Sequence, residues 1–191
     1  MSVVDQCHGV TVVGSRVTEI SLYNGMSGTL PSELGSLSNL QYLNLNANSL
    51  SGALPSELGS LSNLQSIYLG GNDLNGTLPP ELGSLSNLQR LYLGGNDLNG
   101  TIPSELGSLR NLQILKLNNN SLSGTLPSEF GSYGFFGNLQ LLDLSFNSLT
   151  GTLPRLGHLR RLEYLNLSAW LPQQFANPRS ELHLPSRYAP L

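Results

Sequence analysis

The sequence repeats itself with a fixed period of 24 residues, and this repeat constrains the fold more than any other feature. Residues 37–60, 61–84 and 85–108 each begin with Leu-Ser-Asn-Leu-Gln and end with Glu-Leu-Gly-Ser. Between these ends, leucine, asparagine, glycine and proline recur at the same offsets. A fixed period of this length is typical of a solenoid, in which each unit packs only against its neighbours. The repeat therefore predicts one elongated domain.

The period divides the chain into three parts. Residues 1–16 precede the first unit and are expected to cap it, with residues 10–13 forming a short strand on its edge. Residues 17–170 hold about six to seven units of about 24 residues. Residues 171–191 follow no period and are interpreted as an irregular tail.

One unit is longer than the others. The unit that starts at Leu109 carries a three-residue insertion, where Gly-Ser-Tyr-Gly-Phe-Phe-Gly-Asn-Leu replaces Gly-Ser-Leu-Ser-Asn-Leu. One aromatic residue of this insertion, within residues 133–136, is expected to fill the core position that Leu37 holds in the reference unit. Insertions in repeats often map to functional loops, but local repair of sequence drift is the favoured interpretation.

Each unit contains a short alternating segment that predicts a β-strand. Leu40, Leu43 and Leu45 are expected to point inward, and the residues between them outward. Stacking the units places these strands in one parallel sheet, so the rest of each unit must return the chain to the next strand. On this return path, Pro55 at the first position of a helical turn is followed by Ser-Glu-Leu-Gly. The prediction is an α/β solenoid with a parallel sheet on one side and short helical or 3-10 turns on the other.

Two polar positions recur in almost every unit, and both are interpreted as structural. An asparagine lies just past each strand, where its amide can satisfy backbone donors and acceptors of neighbouring coils. A glutamate recurs on the return path, and a solvated row is favoured over metal binding or acid catalysis because repulsion between such carboxylates in water is small. The predicted asparagine ladder is Asn48, Asn72, Asn96, Asn120 and Asn147, and the glutamate row is Glu33, Glu57, Glu81, Glu105 and Glu129.

Composition and missing motifs exclude several classes of function. Charged residues make up 11% of the chain and the net charge is -3, without a run of like charge, so nucleic acid is not an expected partner. No apolar run is long enough to span a membrane, and the N-terminus lacks the pattern of a signal peptide. Cys7 is the single cysteine, which excludes an intrachain disulfide. With no phosphate loop, nucleophile motif or metal-ligand cluster, we predict a protein without enzymatic activity or cofactor.

The units match the pattern L-x-x-L-x-L-x-x-N-x-L-x-G-x-[LI]-P-x-x-L-G-x-L, and they resemble the plant-type leucine-rich repeat. The segments NSLSGALP, NDLNGTIP and NSLTGTLP carry the Gly-x-[LI]-Pro stretch that marks this subtype. The resemblance covers residues 17–167 and implies a right-handed superhelix whose concave sheet binds peptides, glycans or proteins. Similar repeats build the ectodomains of plant receptor-like kinases and the polygalacturonase-inhibiting proteins. An extracellular or cell-surface location is implied, although the family's usual disulfide-tied caps are missing from this sequence.

The outward positions of the strands vary between units, as expected for a recognition surface. Tyrosine and arginine are enriched at protein interfaces, and both occur here beside lysine and aspartate. We expect binding at a central patch of Tyr68, Arg90, Tyr92 and Lys116, with the glycines that follow the two tyrosines leaving room for a ligand. The full set of predicted partner-binding residues is Tyr42, Asn44, Tyr68, Arg90, Tyr92, Lys116, Asp143 and Tyr164.

The predicted function is a non-catalytic recognition module, expected to be a monomer, that binds a protein, peptide or glycan. Two alternatives stay open, namely the ligand-sensing part of a receptor-like kinase and an inhibitor of a secreted hydrolase. A remote third is ice binding, because a row of threonines aligns beside the second strand of each unit, interrupted by Ala53. This row consists of Thr29, Thr77, Thr101, Thr125 and Thr152.

Overall fold

The computed structural model describes residues 4–7, 9–23, 25–132 and 136–169. Over this part, the chain winds into stacked coils, one coil for each sequence repeat, and the α/β solenoid predicted from the repeat is confirmed. The expected C-terminal tail at residues 171–191 lies outside the described residues. So do the first three residues of the insertion stretch 133–136.

The described strands are short and number fifteen. In chain order they are β1 (Val4–Cys7), β2 (Val10–Val13), β3 (Arg16–Ser21), β4 (Ser27–Thr29), β5 (Tyr42–Asn44), β6 (Ser49–Ala53), β7 (Ser66–Tyr68), β8 (Asp73–Thr77), β9 (Arg90–Tyr92), β10 (Asp97–Gly100), β11 (Ile114–Lys116), β12 (Ser121–Thr125), β13 (Leu141–Asp143), β14 (Ser148–Thr150) and β15 (Tyr164–Asn166).

The larger sheet has nine strands in the order β1-β2-β3-β5-β7-β9-β11-β13-β15. From β3 to β15 the strands are parallel and in register, so that Tyr68 lies beside Tyr92 and Tyr92 beside Lys116. At the N-terminal end, β1 and β2 form an antiparallel hairpin, and β2 pairs antiparallel with β3. Residues 10–13 therefore pair with the edge of the first repeat, as expected, and β1 extends this edge by one further strand.

The second strands of the units, beside which the threonine row was expected, form a second parallel sheet on the return path. Its six strands run in the order β4-β6-β8-β10-β12-β14. Gly52 has a φ of +77°, and a Cβ built there would lie 2.9 Å from the Cγ2 methyl of Thr29 in the preceding coil. The same contact recurs between Thr77 and Gly100 at 2.9 Å. The threonine methyl thus fills the space that each glycine leaves.

Five short 3-10 helices complete the coils. They span Ser32–Ser36, Ser56–Ser60, Pro80–Ser84, Ser104–Ser108 and Ser128–Gly131. Among the described residues all the helices are of this kind, so the predicted short turns are 3-10 rather than α-helical.

The placement of Pro55 at the first helical position was wrong. It is the N-cap, with an extended φ of -69° and ψ of 134°, because the strand-like backbone continues up to the helix. Neighbouring 3-10 turns pack closely, since a Cβ on Gly59 would lie 2.7 Å from the Cβ of Glu81.

Leucines from both sheets and from the 3-10 turns form one continuous core. Leu40 and Leu43 are fully buried and Leu45 nearly so, which agrees with their expected inward direction. Phe136 takes the position equivalent to Leu37, where it is buried and meets the ring of Phe130 edge-on at a centroid distance of 4.6 Å. The insertion is therefore accommodated by an aromatic side chain in the core.

The asparagines just past the strands bind the backbone of two coils at once. The amide of Asn96 donates to the carbonyls of Leu93 and Leu69, both at 3.0 Å, while its Oδ1 accepts from the N–H of Leu74 at 3.1 Å. Each amide thus joins its own coil to the preceding one. Asn48, Asn72, Asn120 and Asn147 make the corresponding bonds.

A second row of asparagines lies on the exposed return side and was not singled out from the sequence. Each donates from Nδ2 to a main-chain carbonyl of the preceding coil at 2.8–2.9 Å. The row belongs to the Ser-Asn-Leu, Arg-Asn-Leu and Gly-Asn-Leu segments and consists of Asn63, Asn87, Asn111 and Asn138. Unlike the buried ladder, these amides are open to water.

We predict that Asn96→Leu destabilises the fold by about 1–3 kcal/mol, because it leaves the buried carbonyls of Leu69 and Leu93 and the N–H of Leu74 without partners. The measurement is the urea denaturation midpoint. Asn87→Leu is the matched control, since it removes one exposed bond and should change stability by about 0.5 kcal/mol or less. Equal midpoints for the two variants would contradict a special role for the buried ladder.

Candidate ligand-binding face

Three tyrosines stack along the outward side of the larger sheet, which we call the strand face. The rings of Tyr42 and Tyr68 have centroids 5.4 Å apart with an interplanar angle of 46°. Those of Tyr68 and Tyr92 are 4.7 Å apart at 32°. In this tyrosine stack neighbouring rings are in contact and tilted against one another.

Two cations flank the C-terminal end of the tyrosine stack. The Nζ of Lys116 lies 5.3 Å from the ring centroid of Tyr92, a distance typical of a cation–π interaction. Arg90 precedes Tyr92 by two residues on the same strand and so lies on the same face. Within the described part of the chain, neither cation takes part in an ion pair. Their charges are therefore available to a ligand.

The environment of Tyr92 makes its hydroxyl hard to ionise. Burial raises the pKa of Tyr92 above its ordinary value, and the neighbouring Tyr68 acts in the same direction. Arg90 opposes the shift but does not reverse it. Tyr92 therefore stays a neutral hydrogen-bond donor and acceptor at physiological pH.

Asn44 does not present its side chain to a ligand, which corrects its interpretation as a contact residue. It is only 6% exposed, because tyrosines cover it. Its Nδ2 donates to the hydroxyl oxygen of Tyr23 at 2.7 Å and to that of Tyr42 at 3.2 Å. Asn44 thus orients two tyrosines from below. Tyr23, 57% exposed, was left out of the predicted set, although its strand-face column was visible in the sequence.

Asp143 is also covered rather than presented. It is 9% exposed, and its Oδ1 accepts from the Oγ of Ser145 at 2.6 Å and from the N–H of Ser145 at 3.1 Å. Asp143 lies beside Lys116 in the register but forms no ion pair with it among the described residues. Its role as a direct contact is therefore corrected to one of holding the turn after β13.

The other predicted residues occupy different parts of the strand face. Tyr68, Arg90, Tyr92 and Lys116 lie on three adjacent strands and form one patch. Tyr164 is 46% exposed on β15, three strands beyond Tyr92 and about 14 Å away by strand spacing. It is accessible but separate from the central patch.

The glycines beside the stack do not leave an open trough. A Cβ on Gly70 would lie 2.9 Å from the carbonyl oxygen of Gly94. The N–H of Gly70 is not available to a ligand because it donates to the Oδ1 of Asn46 at 2.6 Å. A Cβ on Gly94 would collide with the side chain of Asn118. The glycines are required by the packing of neighbouring coils, which corrects the expectation of free room.

One exposed aromatic residue on the rim of the strand face was missed. Phe146 is 57% exposed and has a φ of +53°, in the left-handed region. Sequence alone marks this position only as the residue before a ladder asparagine. The same turn position has positive φ in every described coil from the second onward, occupied by Ala47, Gly71, Gly95, Asn119, Phe146 and Ala169.

Neither a metal site nor a membrane-spanning helix is present in the described residues. No group of three or more histidines, cysteines, aspartates or glutamates is placed to hold a metal ion there. In the same part of the chain, no helix has the length and apolar character needed to cross a membrane.

We predict that Tyr92→Phe flattens the alkaline loss of stability. Because the folded pKa is raised, the unfolded chain releases this proton first as the pH passes its ordinary value of about 10, so the free energy of unfolding falls as pH rises through this window. The measurement is tyrosinate absorbance as a function of pH, and the component that ionises at the highest pH should be missing in the variant. Tyr164→Phe, the control, should leave that component in place, and its loss there would contradict the assignment.

Comparison with known proteins places these features in a family. The family model described as 'Leucine-rich repeat region' matches residues 14–121, more than half of the chain. A second family model, described as 'Leucine Rich Repeat', matches residues 111–133 and 138–158. No curated protein sequence matches the chain.

Solved structures resemble it closely. The Arabidopsis receptor kinase HAESA ectodomain, in complex with an IDA peptide hormone ligand, is 35% identical with a TM-score of 0.76, covering 85% of this chain and 28% of its own. The plant peptide hormone receptor RGFR1 in complex with RGF2 is 38% identical with a TM-score of 0.71, over 74% and 22%. A plant ice-binding protein is 29% identical with a TM-score of 0.75, over 84% and 60%.

The chain therefore spans about a quarter of the length of these two receptor ectodomains. Its repeat pattern, its parallel strands with short 3-10 turns, and these matches all agree. The chain belongs to the plant-type leucine-rich repeat family.

Proposed function

We propose that this chain is a non-catalytic recognition module that binds an extended peptide or protein segment on its strand face. The observation that carries the proposal is the tyrosine stack, which ends at Lys116 and Arg90, two cations outside any ion pair in the described chain. Tyrosine and arginine dominate contact energies at interfaces. The function is thus assigned to the central patch and its neighbours.

The tyrosine stack is ordered by contacts of the protein itself, and this favours binding. Tyr68 is packed between two other rings, and Tyr42 also accepts a hydrogen bond from Asn44. A side chain that is already fixed loses little rotamer freedom when a ligand arrives, whereas a free one loses about 0.5–1.5 kcal/mol. The patch is therefore preorganised.

The ring arrangement favours a peptide over a glycan. Sugar rings bind aromatic side chains through the ring face, but here Tyr68 lies between two neighbouring rings, with centroids 5.4 and 4.7 Å away, and Lys116 lies over the ring of Tyr92. Hydroxyls and cations remain, which suit the carbonyls and acidic groups of a peptide. A glycan that binds mainly by stacking fits this surface poorly.

The solved relatives support the same assignment. The HAESA ectodomain was solved with a peptide hormone ligand, and RGFR1 is a plant peptide hormone receptor. By this analogy, we propose that the chain acts at the cell surface or outside the cell, as the ligand-sensing part of a receptor. The likeness concerns only the share of those receptors that this chain spans.

We expect the double variant Tyr68→Ala/Arg90→Ala to lose peptide capture by about a hundredfold, since each side chain is asked to supply roughly 1.4 kcal/mol of binding. The measurement is capture on a random peptide array, with the circular dichroism spectrum unchanged. Arg155→Ala, at an exposed arginine outside the strand face, is the control and should bind as the parent does. Full capture by the double variant would move the site elsewhere.

A second candidate, ice binding, is favoured by one observation. The threonine row Thr29, Thr77, Thr101, Thr125 and Thr152 is exposed along the second sheet, and a plant ice-binding protein is among the solved relatives. Against it, the threonine methyls pack on glycines of the next coil, which explains the row by packing alone.

We expect no gap between the freezing and melting points of a solution of the purified chain. A gap that disappears in Thr77→Lys/Thr101→Lys but persists in Tyr68→Ala/Arg90→Ala would assign the function to ice binding on the second sheet. The two pairs of substitutions lie on different sheets, so each serves as the control for the other.

A further inference from the structure

The backbone of Phe146 is held in a conformation that its side chain disfavours. Its φ of +53° is in the left-handed region, where a bulky residue is a genuine outlier. The backbone is fixed on both sides, because its N–H donates to the carbonyl of Ser168 at 2.8 Å and its carbonyl accepts from the N–H of Asn120 at 3.2 Å. The chain therefore cannot relax at this turn.

The fold itself has no need of an aromatic ring here. Two other coils place glycine at the same position, Gly71 and Gly95, where positive φ carries no steric penalty. The ring of Phe146 is 57% exposed, so burial offsets only part of the strain. A strained, exposed side chain retained at such a position points to a contact outside the fold.

Phe146 lies within reach of the cationic end of the tyrosine stack. Lys116 is one strand away from Asp143, and Phe146 follows Asp143 by three residues. A strand spacing of about 4.8 Å and a rise of about 3.3 Å per residue place Lys116 and Phe146 about 11 Å apart along the face. Arg90 is one strand farther and two residues earlier in register than Lys116, so the midpoint between the two cations is about 15 Å from Phe146.

We propose that the cation pair and Phe146 form one subsite, which binds an acidic and an apolar side chain of the same extended peptide, three to four residues apart. This spacing follows from the span of about 11–15 Å and the rise of about 3.3 Å per residue of an extended chain. Lys116 and Arg90 take the carboxylate, and the exposed ring takes the apolar group. The proposal rests on the proposed function and adds the chemistry of the ligand.

Charges around the subsite are consistent with an acidic group. Asp143 is the carboxylate nearest to Lys116 in the register, but it is largely covered and engaged by Ser145. Along the larger sheet, Glu19 on β3 is the other strand-face carboxylate in the described columns, three strands before Arg90. The central patch therefore carries net positive charge.

The first test is stability, which needs no ligand. Phe146→Gly should raise Tm by about 2–4 °C, the shift expected in a chain of this length when a left-handed residue is relieved. Ala47→Gly is the matched control, because Ala47 has the same positive φ without a ring and should rise similarly. A fall in Tm for Phe146→Gly alone would show that the ring stabilises the fold, and would overturn the proposal.

The second test is binding, with blocked octapeptides on a Gly-Ser background. Each carries one Glu and one Leu, separated by two to six positions in either order. Capture by the parent chain should peak at a separation of three to four and fall at least about tenfold when Leu is replaced by Ser. Phe146→Gly should lose the dependence on Leu and keep that on Glu, while Ala47→Gly should behave as the parent does.

The contribution of the two cations is tested with two matched double variants. Arg90→Gln/Lys116→Gln should lose the dependence on Glu, whereas Arg155→Gln/Arg160→Gln, which removes the same charge from exposed sites, should not. A flat dependence on separation, or no capture of these probes, overturns the subsite. The random peptide array tests the proposed function separately. If the parent chain captures peptides that lack the acidic and apolar pair, and Tyr68→Ala/Arg90→Ala loses this capture, the proposed function stands although the subsite is overturned.

Discussion

The structure depends on the fact that no single coil can bury its own leucines. One unit contributes residues such as Leu91 and Leu93, which are fully buried only because coils stack on either side. Stacking in register at about 4.8 Å joins these side chains into one continuous core. Every other feature of the chain, including the ladder asparagines and the tyrosine stack, follows from this translation by one coil.

The same translation imposes tight conditions on the turns. Gly59 must lack a side chain because the next 3-10 turn approaches it, and Gly94 because Asn118 fills the space beside it. Where the chain leaves each strand, positive φ is required, and the residues that hold it range from glycine to Phe146. Gly59 and Gly94 are required by packing, whereas Phe146 holds the same left-handed conformation as Gly71 and Gly95 with an exposed ring.

Stacking also turns independent outward residues into a surface. Tyr42, Tyr68 and Tyr92 are separated by about one repeat in the chain, yet their rings meet, and Lys116 extends the row from the next coil. Buried polar groups below the surface, especially Asn44, fix the tyrosines in place. A solenoid can thus share its fold with peptide hormone receptors and with an ice-binding protein while its outward residues set what it binds.

The sequence by itself determined the coil, because the repeat states which residues must be buried and which must turn. The burial of Leu40 and Leu43, the ladder role of Asn96, and the need for one aromatic residue of the insertion in the core could all be read from their offsets, and the structure identifies that residue as Phe136. Only the tertiary structure decided that Asn44 and Asp143 are covered, that the tyrosine rings meet at tilted angles, and that the glycines beside them are packed against the next coil. Those features arise from contacts between coils about 24 residues apart, and a pattern within one repeat does not specify how the side chains of neighbouring repeats meet.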